Sequence, residues 1–150
     1  MYKRQVISAL LVHALNYSYW KPVQAGTPTD SNYIREKVPH AKVYPEGYML
    51  NTPCSPHEAA KIDGINISID QLQCPQEDNL IIEGAGGVMV PVNYNGDYLI
   101  DIIRQLNFEC VVVSNHYLGS INHTTLTIKA LQAEGTVSYT HLTLPTICSV

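Results

Sequence analysis

Apolar residues fall in short runs separated by turn-forming residues, and the period of each run predicts its element. Residues 6–15 are apolar on nearly every face, broken only by Ser8 and His13, which predicts a helix covered on several sides rather than a surface helix. Tyr17-Ser18-Tyr19-Trp20 then reads as a strand, and Pro22 ends its ladder. Residues 79–83 and 110–114 are nearly continuous aliphatic runs, as buried central strands of a parallel sheet would be. Between and after them two segments have helical spacing: 98–106, through Leu99, Ile102, Ile103 and Leu106, and 122–134, through Leu126, Ile128, Ala130 and Leu131. Alternation of strand and helix predicts an α/β fold with a mostly parallel sheet and covering helices.

The stretch 26–53 is rich in Pro, Gly, Asn, Asp and Thr and reads mostly as loop, with a short helix over 31–37. Ser55-Pro56-His57-Glu58 has a helix-start arrangement, with Ser55 as cap, Pro56 in the first turn and Glu58 reaching back, so a helix over 56–62 is expected. No repeat, low-complexity tract or linker interrupts the chain, and 150 residues, 45% hydrophobic, suit one globular domain.

A net charge of −4 without a basic run excludes the electrostatic footprint of a nucleic-acid or anionic-membrane binder, leaving small molecules or another protein chain as partners. Cys54, Cys74, Cys110 and Cys148 are widely spaced and contain no C-x-x-C pair, which argues against a zinc site and for reduced thiols in the cytoplasm. Residues 1–15 have the charged-then-apolar order of a secretory leader. The Asn16-Tyr17-Ser18-Tyr19 that follows offers no small-x-small cleavage site, and the apolar run is too short to span a bilayer.

Candidate chemistry sits at strand ends. Glu83-Gly84-Ala85-Gly86-Gly87 directly follows an aliphatic strand, where open parallel sheets place ligands, and a carboxylate there can hold magnesium between phosphates. The same pattern also serves as a plain tight turn. Lys21 ends the earlier strand and Asp30 follows a short loop; the lysine could neutralise charge developing on a transferring group, and Asp30 could be a second magnesium ligand. Each taken singly reads as a solvated surface residue. Gly119, Ser120, Ile121 and Asn122 join the second aliphatic strand to a helix, where backbone N–H groups could bind a carboxylate or Ser120 or Asn122 could cap. His116 and His123 lack ligand spacing and carry no catalytic role.

Five segments in series, 20–26, Thr29-Asp30-Ser31, 52–57, 83–87 and 118–123, resemble the dethiobiotin synthetase family in order and separation, covering about residues 6 to 135. The resemblance implies a P-loop NTPase-like three-layer fold. It also implies an ATP-dependent cyclo-ligase that forms the ureido ring of dethiobiotin from 7,8-diaminononanoate and CO2, with Mg2+, as a cytoplasmic homodimer. On that resemblance Lys21 is the catalytic lysine, Asp30 and Glu83 match magnesium and ATP positions, and Gly84, Ala85 and Gly86 match the nucleotide-contacting loop. Ala25 falls where the family often has a hydroxyl residue near the substrate, so a contact there would come from its backbone. Gly119, Ser120, Ile121 and Asn122 match the loop that holds the substrate carboxylate across the dimer interface.

Two departures qualify the expectation. Residues 1–5 stand where the family has a first strand and a glycine-rich loop ending in Gly-Lys-Thr, and Arg4 is not expected to replace that lysine because no strand or glycine turn positions it. From about residue 136 the likeness to the family ends. These ends read as foreign to the family fold, so a partial α/β domain, inactive and poorly soluble as it stands, is the expectation. Two alternatives are a non-catalytic substrate-binding or dimerisation module and a related P-loop amidoligase of cobalamin synthesis. No glutaminase-like segment is present for the latter.

Overall fold

The computed structural model describes residues 3–136 and 140–144. The chain divides into two compact units, residues 1–99 and 100–150. The first opens with helix α1 (Lys3–Leu15), followed by strand β1 (Ser18–Trp20) and strand β2 (Val23–Ala25). Helix α2 (Asp30–Lys37), strand β3 (Tyr48–Leu50) and helix α3 (Pro56–Asp63) come next, then a single 3-10 turn (Ile69–Gln71) and strand β4 (Leu80–Ile82). Helix α4 (Leu99–Leu106) starts at the boundary, and the second unit continues with β5 (Val111–Asn115), α5 (Ser120–Ala133) and β6 (Thr140–Leu144).

Among the described residues the strands pair in parallel: β1 with β4, β2 with β3, and β5 with β6 across α5. Parallel pairing demands crossover connections, and the helices between the strands supply them. The α/β class and parallel strands expected from the aliphatic runs are therefore present.

In the first unit, Ala9 and Val12 of α1 pack with Tyr19 of β1 and with Ile34 and Val38 at α2, and Ile81 of β4 packs against that cluster. Burial of α1 is one-sided: Ile7, Ser8, Ala9 and Val12 are buried whereas Leu10 and Leu15 are exposed, so the all-round cover expected of this helix is not seen. The β4 strand is half-buried along its length, and Val111 at the start of β5 is exposed. These two runs thus differ from the buried central strands their composition predicts, because among the described residues each is hydrogen-bonded along one edge only.

Two short elements escape the sequence pattern. Pro22 does end β1, but the chain resumes as β2 in a second sheet with β3, a strand inside the stretch that reads as loop. The Pro22 carbonyl makes the turn between sheets useful by accepting from Tyr48 N–H at 2.8 Å. α3 begins at Pro56, but Ser55 makes no side-chain cap bond and Glu58 instead accepts from the Tyr94 hydroxyl, so the reciprocal cap expected there does not form. Residues from 137 onward, which the sequence sets apart from the family, lie outside the described residues except for the backbone of β6.

Candidate active site

Parallel register brings the chemistry together. Trp20 pairs with Ile82, and Glu83 N–H continues the ladder to the Trp20 carbonyl at 3.1 Å, so Lys21 and Glu83 emerge side by side at the carboxyl ends of β1 and β4. This is the edge where parallel sheets place ligands. Lys21 and Glu83 are both buried, 3% and 4% exposed.

The Lys21 ammonium has three donors, and three acceptors surround it. It bonds to Asp30 Oδ2, donates to the Gly84 carbonyl at 3.2 Å, and faces Glu83 Oε1 at 3.8 Å. The other Glu83 oxygen, Oε2, accepts from Ser8 Oγ at 2.7 Å and from the Tyr19 hydroxyl at 3.1 Å. Burial, and then the adjacent Glu83 carboxylate, raise the Tyr19 phenol far above its ordinary value, so it remains a donor.

Asp30 is placed by a latch that the motifs do not reveal. Buried Gln24 donates to the carbonyls of Ala25 and Gly26 at 3.2 and 3.1 Å and accepts from Asp30 N–H at 3.1 Å. Thr29 caps the helix behind it, accepting from Asn32 N–H at 3.1 Å. Gln5 Nε2 reaches the remaining Asp30 oxygen, Oδ1. Arg4, in the first turn of α1, donates to the Gly86 carbonyl, so the helix rather than a glycine turn positions it beside the loop.

In the 83–87 loop, Gly86 has φ +85° with Val90 against its Cα, while Gly84 lies against Leu99. A Cβ at Gly84 would come within 2.7 Å of a Leu99 methyl, so the loop backbone is closely backed as it passes Lys21. Ala85 is half-buried between the two glycines. Ala25 ends β2, paired with Leu50, and offers no polar side chain.

The donor set suits magnesium, which takes hard oxygens and needs only one or two carboxylates when phosphates and water complete its shell. Asp30 and Glu83 both face the Lys21 ammonium, and Glu83 Oε1 lies beyond hydrogen-bond reach of it. Among the described residues no group of three or more His, Cys, Asp or Glu could hold a metal without such outside ligands.

The remaining candidates belong to the second unit. Gly119, with φ +94°, is the N-cap of α5, and Ser120 N–H bonds to the Tyr117 carbonyl at 2.9 Å. No side chain caps that helix, so the capping alternative for Ser120 and Asn122 does not apply. Ser120 is buried, Asn122 is exposed, and Ile121 is 84% exposed next to the fully exposed Leu118. His123 bonds through Nδ1 to the Tyr117 hydroxyl at 2.7 Å. Elsewhere in the first unit a cavity of about 280 Å³ is lined by His57, Lys61, Asn93 and Tyr94, and none of the Lys21 cluster borders it.

Ser8, Tyr19 and Gln24 line the candidate site, and sequence patterns miss all three. Each sits inside a helix or strand as an ordinary element former; Ser8 and Tyr19 meet Glu83 only through the packing of distant elements, and Gln24 meets Asp30 across the intervening turn.

Residues 5–140 match a protein-family model described as an AAA domain. The ATP-dependent dethiobiotin synthetase BioD of Novosphingobium aromaticivorans is 45% identical over 136 residues, 88% of this chain and 66% of that protein. Those of Cytophaga hutchinsonii and Christiangramia forsetii are 48% and 44% identical, over 86% and 88% of the chain and 65% of each relative. The chain spans just under two thirds of the length of these relatives.

Proposed function

The chain belongs to the AAA-domain family, with ATP-dependent dethiobiotin synthetases as its relatives, and from that premise we propose that it is a cyclo-ligase of biotin synthesis. Its reaction closes the ureido ring of dethiobiotin from 7,8-diaminononanoate, CO2 and ATP. One observation carries the reading: a buried lysine held between Asp30 and Glu83 and bonded to the glycine-rich loop at Gly84.

In this reaction one substrate amine adds CO2 to become a carbamate, with loss of a proton. The carbamate oxygen takes the γ-phosphoryl group of ATP, releasing ADP, and the second amine then attacks the carbamoyl carbon and expels phosphate as the ring closes. Negative charge collects on the carbamate and then on the transferring phosphoryl oxygens. A lysine 3% exposed can oppose that charge with little damping by water. Asp30, Glu83 and the Gly84 carbonyl fix the ammonium in advance, so little reorganisation is needed as charge develops.

Asp30 and Glu83 would also hold magnesium, which when bound neutralises charge on the nucleotide phosphates. The backbone of Gly84, Ala85 and Gly86 would line the nucleotide, since glycines let a phosphate approach closely. Ala25 would contribute its backbone to the substrate. Gly119, Ser120, Ile121 and Asn122 would hold the substrate carboxylate at the start of α5 in a homodimer, a role in keeping with the exposure of Leu118 and Ile121 beside that loop. We assign the protein to the cytoplasm, in keeping with free Cys54, Cys74 and Cys110.

The test is calorimetry together with carbon-13 NMR on the full chain. Addition of 7,8-diaminononanoate and labelled bicarbonate should give a protein-bound carbamate signal that Lys21→Met abolishes. Absence of diaminononanoate binding would overturn the proposal, while binding without any ATP affinity would favour a non-catalytic module.

A further inference from the structure

The two oxygens of Glu83 have different surroundings. Oε2 is enclosed by donors from two separate elements, Ser8 of α1 and Tyr19 of β1, whereas Oε1 is turned toward the Lys21 ammonium. Building on the assignment of Glu83 to the magnesium site, we propose that Tyr19 and Ser8 are positioning residues that hold Oε2 and leave Oε1 alone as the oxygen Glu83 offers to the cation.

A glutamate at a strand end can ordinarily rotate its terminal torsion and exchange its oxygens, because that torsion is broad and two-fold. Two hydrogen bonds to one oxygen, from groups on different elements, remove that freedom. Neither donor can follow the carboxylate if it turns, since Tyr19 is fully buried within the cluster formed by Ala9, Val12, Ile34 and Val38, and Ser8 is buried on the same helix as Ala9 and Val12.

Tyr19 is held on both sides by backbone pairing. Its N–H donates to the Lys42 carbonyl at 2.9 Å, its carbonyl accepts from Tyr44 N–H at 2.9 Å, and its register partner on β4 is Ile81, two residues before Glu83. A buried phenol needs a partner for its O–H, and Glu83 is that partner. Loss of an outer group that orients a carboxylate ligand typically costs about 10- to 100-fold in metal affinity.

Manganese, read by the electron paramagnetic resonance of the free ion in the presence of ATP, is the probe, with the full chain. Tyr19→Phe keeps the ring and deletes only the hydroxyl, and Ser8→Ala deletes the other donor, which comes from helix α1 rather than strand β1. Each is expected to weaken manganese affinity by about 10-fold, and both together by more. Val12→Ala removes packing from the same cluster without touching Glu83, so it should lower the melting temperature yet leave manganese affinity unchanged. All variants are compared below the onset of their own unfolding. If Glu83→Gln weakens manganese binding but Tyr19→Phe and Ser8→Ala do not, the positioning role is overturned while the metal assignment stands. If the unsubstituted chain binds no manganese, or Glu83→Gln leaves its affinity unchanged, the metal assignment fails and the positioning role fails with it.

Discussion

The Lys21 ammonium and the Glu83 carboxylate face each other at 3.8 Å with each side chain 3% exposed. Two charges so far from water persist only while they compensate each other, because an unpaired buried ion bears its full desolvation cost. Lys21→Met keeps roughly the same volume but leaves both Glu83 and Asp30 without their cation. Urea unfolding should show a loss of about 3–5 kcal/mol. Adding Glu83→Gln to Lys21→Met should recover part of that loss, since the side chain at position 83 is then neutral and still meets Ser8 and Tyr19. A double variant no more stable than Lys21→Met would show that the Glu83 charge does not set the cost.

Two adjacent glycines in the 83–87 loop should respond in opposite ways to the same substitution. Gly86 has φ +85°, and an added Cβ would meet Val90 at 2.7, 3.2 and 3.3 Å, whereas Gly87 has nothing within 4 Å of such a carbon. Gly86→Ala should therefore cost about 1–2 kcal/mol for the left-handed backbone, with the clash in addition. Gly87→Ala should be neutral or stabilise by about 0.4–1 kcal/mol through a less flexible unfolded chain. Thermal unfolding of the two variants side by side checks the contrast. Equal effects would mean that the loop is not shaped as described.

The glycine-rich loop was legible because its composition and its place after an aliphatic run both point to a strand-end site. Lys21 and Asp30 were legible for a similar reason, through short motifs with a fixed order. What periodicity could not reveal is which elements become neighbours. Ser8 reads as an interruption in an apolar helix and Tyr19 as an ordinary strand former, until parallel register sets both beside Glu83. Strands β2 and β3 are three residues each, too short for a period to show against the surrounding Pro and Gly. The half-burial of β4 depends on what covers it, which no local pattern contains.

Helix starts give a sharper case of the same limit. Thr29 and Ser55 are equally good N-cap residues by type, yet Thr29 accepts from Asn32 N–H at 3.1 Å while Ser55 makes no cap bond. At α3, Pro56 removes one orphan donor, and Tyr94 takes the Glu58 carboxylate that would have reached back. Thr29→Ala should cost about 1 kcal/mol, and Ser55→Ala no more than about 0.5 kcal/mol. Matched urea titrations decide this, and a larger loss at Ser55 would restore the cap expected from sequence.

Asp63, in the last turn of α3, ties the end of β3 to the helix. Its Oδ1 accepts from Thr52 Oγ1 at 2.6 Å, and its Oδ2 accepts from the backbone N–H groups of Asn51 and Thr52. These hydrogen bonds, that from the Thr52 hydroxyl foremost, hold the carboxyl below its ordinary value of 3.8. A depressed folded-state value means that the unfolded chain takes up its proton first as pH falls. The stabilisation is therefore fully present above 3.8 and is lost progressively below it, as pH passes through the lower folded value. Other carboxylates titrate in the same window, including Glu77, which Lys42 and Tyr44 also hold low. The informative quantity is thus the gap in urea midpoint between the unsubstituted chain and Asp63→Asn. At neutral pH the variant should be the less stable, because an amide cannot accept all three bonds. On acidification the gap should begin to close near pH 3.8 and shrink further below it, since protonation costs the unsubstituted chain the same acceptors. A gap that stays constant through that range would mean that the Asp63 charge makes no contribution to joining β3 and α3.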